Sequence, residues 1–341
     1  MARNPRFPLY LGDDEVVSLQ RRITEIALAA LARQLGLLIG AGFSFEARGL
    51  PLGSHLAVAL AEDLGYPEIS ARRLADTYGL SVIAEQYGRV VTGKRQQLVD
   101  TVSRMLTTSG DGSQVENDLK AIVSNCDISR IFTTNYDSLI ETALGDQRSA
   151  TIAETASALT KFEHDIRRKE FTGVFHIHGT TTNPVITETD LQKPRSIFFE
   201  ELRHELLSRV FVMVGYSFRD ESITDVFESI YELLKKTREE RKTFLVSPIE
   251  EEFEYRFAKQ YWEDRCDVCL IPMGAGAFFA EFLEQLHTVG SVKPIDEISV
   301  KIRSSPADVK ERLKRLCDDV PDLALDDMAE IARRFLAVRT P

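Results

Sequence analysis

Apolar positions along the chain change period several times, and those changes outline its elements. After an irregular arm containing Pro5 and Pro8, Asp13 and Asp14 open a stretch in which Val16, Leu19, Ile23, Ile26 and Leu31 recur at helical spacing, ending near Gln34. Gly36 breaks it, and Leu37-Leu38-Ile39 is a short buried-strand signal running into Gly40-Ala41-Gly42-Phe43-Ser44. From about residue 53 to 125 the pattern is helical, with Leu56, Leu60 and Leu64 on one face and a small polar loop from Thr107 to Ser113. Strand signals then return, each with a glycine or polar exit: Arg130 to Thr133, Val174 to His178, Val210 to Val214, Thr243 to Val246 and Val268 to Ile271. Helices are expected up to Leu144, over about 221–236 and over about 277–287.

Short apolar strands alternating with helices predict an α/β fold, a doubly wound and mostly parallel sheet covered on both faces, Rossmann-like in its opening strand and glycine turn. Ligands of such sheets sit beyond the carboxyl ends of the strands, and all the glycine and polar exits lie on that rim. Residues 1–290 are expected to form this domain, with the helical insertion at about 53–125. Residues 291–341 read as a linker and a helical tail split by Pro321, a candidate surface for oligomer or partner contact.

Composition narrows the classes. The chain has 341 residues, 43% hydrophobic and 28% charged, which is ordinary globular usage. Its formal charge of −11 disfavours a general nucleic-acid binder, which needs a basic stripe. Four scattered cysteines (Cys126, Cys266, Cys269, Cys317) do not make a disulfide framework, the first ten residues lack the apolar core of a signal peptide, and no apolar run reaches the roughly 18 residues of a membrane span. A reducing cytoplasm is the expected compartment.

Five motifs are candidates for chemistry. At Gly40-Ala41-Gly42-Phe43-Ser44, glycines let backbone approach a pyrophosphate and Ser44 offers a hydroxyl, though a plain strand-to-helix turn also fits. The dehydrogenase fingerprint would need a third glycine where Phe45 stands, which disfavours hydride transfer. In Thr133-Thr134-Asn135-Tyr136-Asp137, Asn135 and Asp137 can both face a ligand if Tyr136 turns into the core; either could instead cap the following helix. His176-Ile177-His178-Gly179 places both histidines on one face of a strand. His176 reads as a hydrogen-bonded core histidine and His178, at the exit, as a general base. Gly215-Tyr216-Ser217-Phe218-Arg219-Asp220 is another exit able to hold ribose or phosphate. Cys266-x-x-Cys269 has metal or redox spacing but lies across a predicted strand, so core cysteines are the expectation.

The order of these motifs (glycine turn with serine, Thr-x-Asn-x-Asp, His-Gly, Gly-x-Ser) resembles the sirtuin family over about residues 36–287. It is most similar to bacterial sirtuin-like domains of antiphage defence, including the run Val185 to Leu191. The resemblance implies that Gly40, Ala41, Gly42 and Ser44 hold the pyrophosphate of NAD. It implies that Asn135 positions water or ribose hydroxyls, that Asp137 meets the nicotinamide carboxamide, and that His178 is the base. Gly215, Ser217 and Ser247 would face the adenosine half.

Departures from the family are equally specific. Deacetylating members carry Asp-Phe-Arg where Leu52-Gly53-Ser54 follows Gly49-Leu50-Pro51, and a four-cysteine zinc module where residues 180–209 have no cysteine. The Phe-Gly-Glu segment of the acyl-lysine channel is missing too. The resemblance therefore implies an NAD+ glycohydrolase with no metal and no cofactor beyond NAD+ as substrate, acting in defence by depleting NAD+. A toxic activity of that kind implies control by homo-oligomerisation or by an activator, a HerA-type ATPase in some members. The alternatives are a non-catalytic NAD or ADP-ribose sensor, or a deacylase or ADP-ribosyltransferase.

Overall fold

A computed structural model of the chain describes residues 5–91, 95–107, 112–145, 149–152, 172–191, 196–217, 221–237 and 243–291. The predicted C-terminal tail, Phe218, Arg219 and Asp220 lie outside these residues. Nine strands are described: β1 (Leu35–Ile39), β2 (Arg130–Thr133), β3 (Ser149–Ile152), β4 (Thr172–His176), β5 (Gly179–Thr180), β6 (Asn183–Pro184), β7 (Val210–Val214), β8 (Thr243–Val246) and β9 (Val268–Ile271). Seven of them form one sheet in the order β3-β4-β2-β1-β7-β8-β9, and every pairing within it is parallel. β5 and β6 make a separate small hairpin.

The strand order runs outward from β1 in both directions, so the topological switch lies between β1 and β7. β1 is buried along its whole length, as a central parallel strand covered on both faces must be. Phe132, Phe175 and Phe211, from β2, β4 and β7, pack as tilted rings beside it with centroids 5.1 Å (Phe132–Phe175) and 6.4 Å (Phe132–Phe211) apart.

The helices are α1 (Asp13–Leu31), α2 (Ala41–Arg48), α3 (Gly53–Asp63), α4 (Glu68–Val90), α5 (Arg95–Met105), α6 (Gln114–Cys126), α7 (Leu139–Leu144), α8 (Glu188–Leu191), α9 (Ser196–Ser208), α10 (Glu221–Thr237), α11 (Glu252–Cys266) and α12 (Ala275–Ser291). Within the predicted helical stretch the packing divides. Helices α3, α4 and α5 bury a second apolar cluster (Leu60, Ile83, Tyr87, Leu98 and Val102) of their own. Helix α6 instead adds Leu119, Ile122 and Val123 to the main core.

Two observations revise the expected elements. The predicted strand Val174 to His178 stops at His176, so the two histidines do not share a strand face: His176 is fully buried, and His178 sits half-buried in the turn before Gly179. The structure also adds β3, α9 and α11 to the elements read from periodicity.

Candidate active site

The exits of β1, β2, β4 and β7 meet on the carboxyl rim. At the switch point the β1 turn touches the β7 turn, backbone to backbone. The Gly40 N–H donates to the Val214 carbonyl and the Gly42 N–H to the Gly215 carbonyl, both at 2.9 Å. A Cβ at Gly42 would lie 2.8 Å from the Gly215 Cα, and one at Gly40 would lie 2.5 Å from the Gly215 oxygen. Gly215 itself has φ +66°, which favours glycine. The glycines thus let two turns interlock at the base of the cleft, and two of the N–H groups expected to meet pyrophosphate are already engaged.

The β2 exit builds the polar floor. Thr133 Oγ1 donates to the Ile39 carbonyl (2.8 Å) and accepts the Asn135 N–H (3.0 Å), tying this turn to β1. Asn135 Nδ2 donates to the Gly40 carbonyl (3.1 Å) and to Ser44 Oγ (2.9 Å). The Ser44 hydroxyl in turn donates to Asp137 Oδ1 at 3.2 Å. The Leu139 N–H donates to the same oxygen at 3.0 Å, so Asp137 also caps the start of α7. Ser44, Asn135 and Asp137 are all buried. Burial pushes the Asp137 carboxyl above the usual range, against the pull of the Leu139 and Ser44 donors. The Ser44 hydroxyl therefore points inward, as a bridge between the two turns. Asn135 Oδ1 is a buried acceptor with no hydrogen-bond partner among the described residues.

Tyr136, beyond the end of β2, turns away from these groups. Its ring packs against the second apolar cluster, and its hydroxyl donates to the Val185 carbonyl at 3.0 Å. That places it beside His178, with ring centroids 6.4 Å apart. The turn carrying His178 is fixed by the Val185 N–H on the His178 carbonyl (2.7 Å) and the Thr181 N–H on the Tyr136 carbonyl (2.9 Å). Gly179 has φ +71° and leaves 2.2 Å between an added Cβ and the Asn183 oxygen, so only glycine closes this hairpin. The following segment docks on the helical cluster through Arg95, which reaches Asp190 and the Pro184 carbonyl.

His176 lies beneath the site. One ring nitrogen, Nδ1, is 2.9 Å from the Asn135 carbonyl; the other, Nε2, is 2.8 Å from Glu141 Oε1, which also accepts from Thr151 at 2.6 Å. Burial opposes a charged pair, yet the mutual contact outweighs it: His176 is raised above the usual histidine range and Glu141 lowered below the usual carboxylate range.

Of the residues expected at the site, the structure joins Gly40, Ser44, Asn135 and Asp137 in one network and Gly42 with Gly215 in another. Ala41 opens α2 beside them, and His178 packs against Tyr136, on the side away from the first network. Ser217, exposed, and Ser247, half-buried, follow the ends of β7 and β8. Cys266 ends α11 as a buried thiol pushed up to about 11, while Cys269 is half-buried in β9. Glu141 and Thr133 were not among the expected site residues. A buried carboxylate in the mostly apolar Leu139–Leu144 segment, one turn after Asp137, was the available signal for Glu141.

Residues 129–266 match a family model described as SIR2-like domain. The NAD(+) hydrolase ThsA of Bacillus cereus (strain MSX-D12) is 26% identical over 262 residues, which cover 70% of this chain and 50% of that relative. The NAD(+) hydrolase ThsA of Enterococcus faecium is 24% identical over 140 residues, covering 39% of this chain and 28% of that relative. The matched regions thus span half or less of these curated relatives. A solved structure described as "Structural Basis for the Mechanism and Regulation of Sir2 Enzymes" superposes with a TM-score of 0.43 at 15% identity, covering 82% of this chain and all of that one.

Proposed function

We propose that this chain, sirtuin-like over residues 129–266, is an NAD+ glycohydrolase that converts NAD+ and water to nicotinamide, ADP-ribose and a proton. The observation that carries the reading is the Asn135 side chain: its amide hydrogens are held by Gly40 and Ser44, while its buried Oδ1 is left for a ligand hydroxyl or a water. The two relatives named as NAD(+) hydrolases support it.

The chemistry suits these groups. Nicotinamide leaves as its ring nitrogen takes the electron pair of the glycosidic bond and loses its positive charge. The ribose carbon passes through an oxocarbenium-like state, and water adds to it. The reaction needs no cofactor beyond NAD+ itself as substrate. Asp137, buried with a raised carboxyl, meets the carboxamide, and Asn135 Oδ1 accepts from the water or a ribose hydroxyl. His178 takes the proton. The glycine turn lets backbone and the α2 N-terminus approach the pyrophosphate without a basic surface. Ser217 and Ser247 serve the adenosine half. In the cell the activity depletes NAD+ in antiphage defence, under control of homo-oligomerisation or of an activating partner.

Incubating the purified chain with NAD+ and following nicotinamide by chromatography tests the reading. His178→Ala is expected to lower turnover by about 10²–10⁴-fold with a smaller effect on binding. Tight NAD+ binding without release under any oligomeric or partnered condition would instead make the chain a sensor. Release that requires an acyl-lysine peptide would make it a deacylase.

A further inference from the structure

Four polar groups define how Asn135 sits, and three are held by the protein. Its N–H is held by Thr133, its amide hydrogens by Gly40 and Ser44, and its main-chain carbonyl by His176. His176 is the one titratable group among these holders. A carbonyl only accepts, so Nδ1 must carry a proton. Nε2 faces a carboxylate oxygen that already accepts the Thr151 hydroxyl, so Nε2 carries one too.

We propose that His176 is a positioning residue for the hydrolysis inferred above. As an imidazolium between the Asn135 carbonyl and Glu141 it locks the β2 exit, so that Asn135 presents Oδ1 to the reacting groups. The inference rests on that reading of the site. His176 is itself fully buried, with both ring nitrogens engaged by the protein.

The arrangement has a specific failure mode. Loss of one proton leaves a neutral imidazole facing two acceptors. The carboxylate is the stronger one, so the remaining proton stays on Nε2, and an Nδ1 lone pair is left against the Asn135 carbonyl. The turn is then released. The charged groups facing His176 are Glu141, on α7, and Asp137, just before it. Both are acidic, and both hold the second proton in place. The lock therefore opens on the alkaline side, above the ordinary histidine range.

His176→Leu is expected to lower kcat on the order of 10²-fold, the cost of a misplacement of about 1 Å, with KM changed less than about threefold. Glu141→Gln separates positioning from plain stability. Its amide donates to Nε2 of a neutral imidazole whose Nδ1 proton stays on the Asn135 carbonyl, so the alkaline fall in kcat should disappear. A His176→Leu protein that keeps wild-type kcat, or a Glu141→Gln protein that keeps the alkaline fall, overturns the inference. Nitrogen NMR of the histidine-labelled full chain reads the same inference without turnover. Two protonated ring nitrogens for His176 at neutral pH support it, and one refutes it. If the wild-type chain releases no nicotinamide, the hydrolase reading falls, and the NMR result alone decides the lock.

Discussion

The contact between the two glycine turns gives the sharpest structural prediction. Gly215→Ala places a methyl at φ +66°, 2.4 Å from the Phe43 nitrogen and 2.8 Å from the Gly42 carbonyl carbon. These are backbone atoms at the start of α2 and have no rotamer to yield with. A left-handed alanine costs about 1–2 kcal/mol, and relieving an overlap of about 1 Å adds about 1–3 kcal/mol. Parting the turns loses the Gly42 to Gly215 hydrogen bond, about 1 kcal/mol more. The expected loss is roughly 3–6 kcal/mol, which at a slope of about 3 kcal/mol/M lowers the urea midpoint by roughly 1–2 M. Gly88→Ala is the control. It lies inside α4 with nothing within 4 Å of an added Cβ and no positive φ, so it should gain about 0.5–1 kcal/mol. Urea unfolding followed by far-UV circular dichroism measures both, with nicotinamide release measured alongside. If Gly215→Ala unfolds within about 1 kcal/mol of wild type and keeps its turnover, the turns are not clamped together as described.

Asp137 and Gly179 extend the test to the rest of the rim. A carboxyl raised by burial binds its proton more tightly in the folded chain than in the unfolded one. Stability therefore falls as pH rises from its ordinary 3.8 through the raised value. Asp137→Asn keeps the acceptor for the Leu139 N–H without that charge, so its unfolding midpoint should exceed wild type above this window while nicotinamide release drops on the order of 10²-fold. Gly179→Ala forces a methyl to within 2.2 Å of the Asn183 oxygen and opens the β5–β6 hairpin. A loss of turnover with a smaller loss of global stability, read by the same two assays, is the expected pattern.

The sheet was legible because its strands are short, apolar and followed by glycine or polar exits, a pattern that parallel burial enforces at β1, β2, β7, β8 and β9. β3 escaped because Ser149-Ala150-Thr151-Ile152 is a short, polar edge strand with no apolar run. Helix α11 escaped because Phe253, Phe257 and Tyr261 point outward on it, which blurs the contrast between its faces. At the site, residue types were legible but their partners were not. Ser44 looked like a phosphate donor because it follows the glycine turn; only the fold shows its hydroxyl donating to Asp137, 93 positions away. His176 was legible as a hydrogen-bonded core histidine; what alternation missed is that β4 ends between the two histidines, so they do not share a strand face and His178 sits in the turn. Local spacing carries no information about Glu141 meeting His176, since that contact depends on how α7 folds back beside β4.

The central claim is that Asn135, fixed by Gly40, Ser44, Thr133 and His176, acts on NAD+ through its free Oδ1. The most direct test compares nicotinamide release by the wild-type chain and by Asn135→Ala, with NAD+ binding measured on both by calorimetry. The account predicts release of nicotinamide and ADP-ribose in equal amounts by wild type, and a fall on the order of 10²–10³-fold in the variant with binding largely kept. Equal turnover in the two proteins would contradict it.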